Sequence, residues 1–269
     1  EVNTARIVSG QLRELGIEHR TGVGGDGRSL YTPAEALELA GITPGPVTGG
    51  TGVVGVIRGR GPGKTILLRA DMDALPMDEQ NDVEYKSQNP GAMHSCGHDV
   101  HTTVLMGVAE VLNGLRDQFD GNVVLMFQPG EEGYGGAAAM IHDGLLDDPK
   151  VDAALALHVG VDGRAGQISV NHGANTAASD MLEIFVEGVG GHAARPHAAV
   201  DTTLVAAQIV VALQSIVSRN VDPAESAVIT IGVLHAGTAL NIIPATAKIE
   251  GTVRTYNADV RDLIEKRIN

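Results

Sequence analysis

Three short runs without a charged residue set the terms for this chain: residues 65–68, 123–127 and 153–157. Each gives way within a few positions to ionisable side chains. Runs of this kind read as strands buried on both faces. Between them lies a helical pattern after His98, with Val100, Val104, Leu105, Val108, Val111, Leu112 and Leu115 on one stripe, and a short Ala-rich helix over residues 136–141. Strand, helix and strand at these intervals imply right-handed crossovers and a largely parallel sheet. Ligands bind open α/β sheets at the carboxyl ends of the strands. There the chain delivers Asp71 and Asp73, then Glu131 and Glu132, then His158.

The remaining pattern divides the chain. A helix over residues 4–15, with Ile7, Val8, Leu12 and Leu15 as its apolar positions, precedes Gly- and Pro-rich residues 22–50, read as a surface loop holding one short helix at 33–39. From residue 179 the runs become half-polar. Strands over 181–187, 228–234 and 246–253 alternate with helices over 200–218 and from Asp259 onward. This β-α-β-β-α order predicts a small sheet with helices on one face. The expectation is an α/β protein: a catalytic domain over residues 1–170, its sheet flanked by helices on both faces, and a smaller α+β lid or dimerisation domain over residues 171–269, with both chain ends reading as cut.

Composition narrows the function. The 269 residues carry 19 basic and 33 acidic side chains, a net charge of −14, which repels phosphate backbones and argues against a nucleic-acid partner. A single cysteine forms no internal disulfide. No apolar run approaches the roughly 20 residues of a membrane helix, so the default expectation is a cytoplasmic protein without a membrane partner.

That cysteine stands in Met93-His94-Ser95-Cys96-Gly97-His98-Asp99-Val100-His101, nine residues with three of the chain's ten histidines. Cys96, His98, Glu132 and His158 form a mixed S, N and O ligand set drawn from three segments, which zinc, manganese, cobalt and nickel all tolerate. Glu131 beside Glu132 is informative because adjacent carboxylates repel unless a cation neutralises one. The other is then free to take a proton from water.

These motifs stand in one order with Arg69-Ala70-Asp71-Met72-Asp73-Ala74-Leu75-Pro76, Gln128-Pro129-Gly130-Glu131-Glu132-Gly133, Gly190-Gly191-His192-Ala193-Ala194-Arg195-Pro196-His197, Asn241-Ile242-Ile243-Pro244 and Gly251-Thr252-Val253-Arg254. The chain resembles the di-metal amidohydrolases of the aminoacylase and carboxypeptidase G family. The nearest branch holds hippurate hydrolase, N-acyl-amino-acid amidohydrolases and plant indoleacetyl-amino-acid hydrolases.

The resemblance implies two divalent metal ions held by Cys96, His98, Glu132 and His158, with Glu131 as general base and proton shuttle. It implies that His192 stabilises the oxyanion, commonly in a partner subunit's site, so that a homodimer through the lid domain is expected. Asn241 and Arg254 match positions that hold the substrate's carboxylate, and a guanidinium fork suits that task. Asp71 and Asp99 are candidates for supporting the metal ligands. The substrate expected is a small N-acyl amino acid, hydrolysed at its amide bond.

Three departures accompany the resemblance. Arg69 replaces the histidine of the peptidase branches, and Cys96 marks the deacylase branch. Residues 25–48 read as an insertion. Family members continue past position 269 and supply a further histidine ligand. The alternatives are a dipeptidase or carboxypeptidase on the same scaffold, a truncated non-catalytic metal-binding protein, and a thiol enzyme using Cys96 as nucleophile.

Overall fold

The computed structural model describes residues 1–24, 50–161, 163–170 and 172–269. The proposed insertion at 25–48 and the helix at 33–39 lie outside them. The chain forms two compact units, Glu1–Gly163 and Arg164–Asn269.

The first unit is a five-stranded sheet: β1 (Glu18–Val23), β2 (Gly52–Arg58), β3 (Thr65–Asp71), β4 (Asn122–Gln128) and β5 (Ala153–Ala156), in spatial order β1-β2-β4-β3-β5. Helices α1 (Val2–Glu14), α2 (His98–Gly114) and α3 (Gly136–His142) complete it. The α/β class is as expected. The sheet is mixed: β3 runs parallel to β4 and to β5, whereas β2 runs antiparallel to β1 and to β4.

Alternation along β4 explains why its run is apolar throughout. Val123, Leu125 and Phe127 face α1 and α2, packing with Val8, Leu12, Leu105 and Ala109. Val124 and Met126 face the other side, with Met140 of α3 and Leu145. Each such fully buried side chain contributes about 1.5–3 kcal/mol.

Three expectations change. β1 was missed, because it is an edge strand whose residues are mostly exposed and polar. The run at 153–157 is not buried: all four residues of β5 are exposed at the opposite edge, where it pairs only with β3 among the described residues. The stripe on α2 also differs. Val100, Val104, Val111 and Leu115 are exposed, and the face turned inward carries His98, His101, Thr102, Leu105 and Ala109. The polar half of that face, at the helix's first turn, lies where the candidate site forms.

The second unit is an antiparallel sheet of β6 (Ala178–Glu187), β8 (Ala227–Ala236) and β10 (Thr246–Thr255), in the order β6-β10-β8. A separate two-residue ladder joins β7 (Gly191–His192) to β9 (Ile242–Ile243). Helices α4 (Thr202–Asn220) and α5 (Ala258–Ile268) cover one face, where Leu182, Ile229 and Val253 meet Leu213, Ile216, Val260 and Ile264. Asp201 caps α4 through the backbone N–H groups of Thr203 and Leu204, satisfying donors the helix itself leaves free. By length and composition α4 could cross a membrane, contrary to the sequence expectation. Its Ala206, Leu213 and Ile216 are buried in the core of this unit, whereas Leu204 and Val211 on the same helix are exposed.

Candidate metal centre

The parallel register of β3, β4 and β5 aligns their carboxyl ends. Asp71 pairs with Gln128 across β3 and β4, and Arg69 with Ala156 across β3 and β5. The segments leaving these strands therefore emerge along one edge, and α2 begins beside them.

His98, the first residue of α2, is buried. Its Nδ1 lies 2.8 Å from the carbonyl oxygen of Asp73, which only accepts, so Nδ1 carries the proton and Nε2 presents a lone pair. That Nε2 stands 3.8 Å from Glu132 Oε1 and 4.0 Å from Glu131 Oε2. Beyond them, Cys96 Sγ and His158 Nε2 are 3.4 Å apart. His158 Nδ1 donates to the carbonyl of Val159 at 2.7 Å, leaving its Nε2 unprotonated as well.

The donor set fits divalent cations. Two groups bound about 2.1 Å from one ion in a tetrahedron stand roughly 3.4 Å apart, close to the separations seen. Cys96, His98 and His158 form one group, and His98, Glu131 and Glu132 another, with ligand atoms in each group within 4.8 Å of one another. Among the described residues, His98 Nε2 and Glu132 Oε1 are buried acceptors without a hydrogen-bond partner. Such atoms are costly unless a cation or a water satisfies them.

Charges around the edge follow from this crowding. Burial raises the Cys96 thiol to about 11, helped by a hydrogen bond with Glu132 and by the charges of Glu132, Glu131 and Asp71. The thiol therefore stays protonated at neutral pH without a cation, which weighs against its use as a free nucleophile. Glu131 is raised above the usual carboxylate range by burial and by Glu132, against the lowering effect of Arg69. Burial opposes ionisation of Asp71, but the hydrogen bond from His101 and the charge of Arg69 outweigh it and lower its pKa. The guanidinium stands 2.6 Å from Asp71 Oδ2 and also donates to Gln128 Oε1 at 2.7 Å.

The structure thus brings together Cys96, His98, Glu131, Glu132 and His158, with Asp71 behind them. Asp99 is not part of this cluster. It is exposed in the first turn of α2, where a carboxylate complements the helix dipole. Two residues to which the sequence assigned no role support the centre instead. Asp73 accepts the Glu132 backbone N–H at 2.9 Å and holds His98 through its carbonyl. His101 is buried against Asp71. Its spacing of three from His98, on one helical face, was the available signal.

In the second unit, His192 on β7 pairs with Ile242, and the carbonyl of Asn241 accepts the Ala193 N–H at 3.0 Å, so these two candidates share one small ladder. Arg254 is exposed near the far end of β10. Thr246, at the end nearer that ladder, and Arg254 are separated by roughly 26 Å at the usual strand rise. His192 and Asn241 are brought together; Arg254 is not brought to them within the unit.

Comparison with known proteins identifies the family of the chain. Residues 67–262 match peptidase family M20/M25/M40. The chain is 43% identical over 233 residues to an N-acetyl-L-cysteine deacetylase of Bacillus subtilis, covering 87% of this chain and 56% of the relative. It is 40% identical over 263 residues to thermostable carboxypeptidase 2 of Saccharolobus solfataricus, covering 97% and 60%. A crystal structure of a dinuclear metal-binding peptidase of the M20 family from Bacillus subtilis superposes with a TM-score of 0.72 at 32% identity, covering 100% of this chain and 62% of the other. The chain therefore spans less than two thirds of the length of each of these proteins, and it belongs to peptidase family M20/M25/M40.

Proposed function

We propose that the protein to which these residues belong hydrolyses the amide bond of small N-acyl amino acids at a two-metal centre. The observation that carries the reading is the convergence of Cys96, His98, Glu131, Glu132 and His158, with the Nε2 of His98 buried and unpartnered. Cys96, His98, Glu132 and His158 would hold zinc, manganese, cobalt or nickel. Divalent cations at such a centre polarise the scissile carbonyl and lower the pKa of water.

The chain's own groups do the rest. Glu131, half exposed and raised in pKa, takes the proton from the attacking water and returns it to the leaving amine. His192 donates to the developing oxyanion, and Asn241 and Arg254 hold the substrate carboxylate. The separation of Arg254 from the His192–Asn241 ladder supports a homodimer, in which one substrate would meet groups from two copies.

The second reading is peptide hydrolysis on the same scaffold, as the carboxypeptidase name of one relative invites. Cys96, which the resemblance ties to the deacylase branch, and Arg69, in place of the histidine that the resemblance gives the peptidase branches, favour the first. The test is one assay of metal-reconstituted protein on acetyl- and benzoyl-amino acids beside dipeptides of the same residues. Faster turnover of dipeptides would select the second reading, and no metal-dependent turnover of either would remove both.

A further inference from the structure

We propose that His101 is a positioning residue that fixes the orientation and tautomer of His158 through the backbone of Val159. This rests on the metal-centre reading above.

By proximity His101 looks like a ligand, since Asp71, His98 and His101 offer atoms within 4.8 Å of one another. Its hydrogen bonds exclude that role. The Val159 backbone N–H donates to His101 Nε2 at 2.9 Å, so the ring's proton sits on Nδ1 and is given to Asp71 Oδ1 at 2.6 Å. Both nitrogens are engaged, and neither has a lone pair left for a cation.

The backbone of Val159 is held on both sides of its Cα. Its N–H is held by His101, and its carbonyl accepts the Nδ1 proton of His158 at 2.7 Å. That second bond keeps His158 Nε2 unprotonated and close to Cys96 Sγ. The rings of His101 and His158 are also in contact, 4.6 Å between centroids at 68°. Beneath them Val159 Cγ2 occupies the space a side chain at residue 97 would need, which Gly97 leaves open at a φ of +82°.

The need for such a strut follows from β5. That strand is four residues long, exposed, and at the sheet edge. Leu157 and His158 after it are exposed too. A ligand on so lightly held a segment loses affinity unless something orders it, and partners behind metal-binding histidines typically contribute 10–100-fold.

The test titrates the metal-free chain with Co²⁺, read by the visible and thiolate charge-transfer absorption, in wild type and in His101→Phe, His101→Gln and His101→Asn. Phe keeps volume and removes both hydrogen bonds; Gln places an acceptor near the Nε2 position; Asn reaches only the Nδ1 position. The expected result is Co²⁺ binding about 10–100-fold weaker in the Phe variant, mostly recovered in Gln and not in Asn. Melting of the metal-free variants separates loss of packing from loss of orientation. Wild-type affinity in the Phe variant, or equal affinities in Gln and Asn, would overturn the role of His101. If the Phe variant does not fold, the Gln-against-Asn comparison decides. Failure of wild type itself to bind Co²⁺ would instead remove the metal centre.

Discussion

Asp73 Oδ2 accepts the backbone N–H of Glu132 at 2.9 Å, tying the exit of β3 to the exit of β4. Through its carbonyl the same residue orients His98. The two carboxylate-bearing loops and the first turn of α2 thus share one fixed point. Asp73→Ala strips the acceptor from the Glu132 N–H, at a cost of about 1–3 kcal/mol if that group is left unsatisfied. A lower melting temperature without metal, together with weaker metal uptake, is the expected pair of changes. Unchanged melting would show that water replaces the carboxylate without loss.

Glu131 lies beside the centre but remains half exposed, as a group that exchanges protons with substrate and solvent must. Glu131→Gln is expected to keep the metal-to-protein ratio of wild type while turnover falls by about 10²- to 10⁴-fold. Elemental analysis beside a rate assay checks both halves. A variant of near-normal rate would take Glu131 out of the mechanism.

Cys96 gives the centre a pH dependence of known sign. Its thiol, held up to about 11 without a cation, must lose its proton to bind one. Metal uptake therefore releases a proton, and affinity rises with pH, about tenfold per unit for one proton. Calorimetry in buffers of different ionisation enthalpy measures the release. Cys96→Ser should weaken binding and alter the proton count; an unchanged count would mean that another group supplies the proton.

Gly97 caps the start of α2 at a positive φ, with Val159 where its side chain would be. Gly97→Ala therefore combines left-handed strain with a collision. A destabilisation of about 1–3 kcal/mol is expected from the strain alone, seen as a lower melting temperature. Metal affinity should fall with it, because Cys96 and His98 flank the position.

In the second unit Arg261 donates to both carboxylate oxygens of Asp180, one bond at 2.8 Å. The hydrogen bond lowers the Asp180 pKa against a smaller opposing effect of burial. Its stabilisation is fully present above the unfolded aspartate pKa and disappears as pH falls through the folded value. With Arg261 exposed, the pair contributes about 0.2–1 kcal/mol. Asp180→Asn should lower stability by that amount at neutral pH and by nothing at strongly acid pH. Equal losses at both would assign the effect to packing.

Much of this protein was legible in order along the chain. The uninterrupted run at β4 marks a strand packed on both faces, and the ionisable residues after β3, β4 and β5 mark the edge where they gather. Cys96, His98, Glu131, Glu132 and His158 could be named because their residue types, crowded at strand and helix ends, suit cations. What the sequence could not decide was contact. Asp73 and Asp99 are both aspartates near the motif, yet only Asp73 turns inward, because β3 ends pointing at α2 while Asp99 occupies that helix's outer face. His101 and Val100 are neighbours, and hydrophobicity alone would bury the valine. The reverse occurs, because a buried imidazole with Asp71 on one nitrogen and the Val159 peptide on the other has both polar atoms satisfied. Partnering of that kind joins residues 30 to 58 positions apart, and only the folded sheet brings them within hydrogen-bond reach.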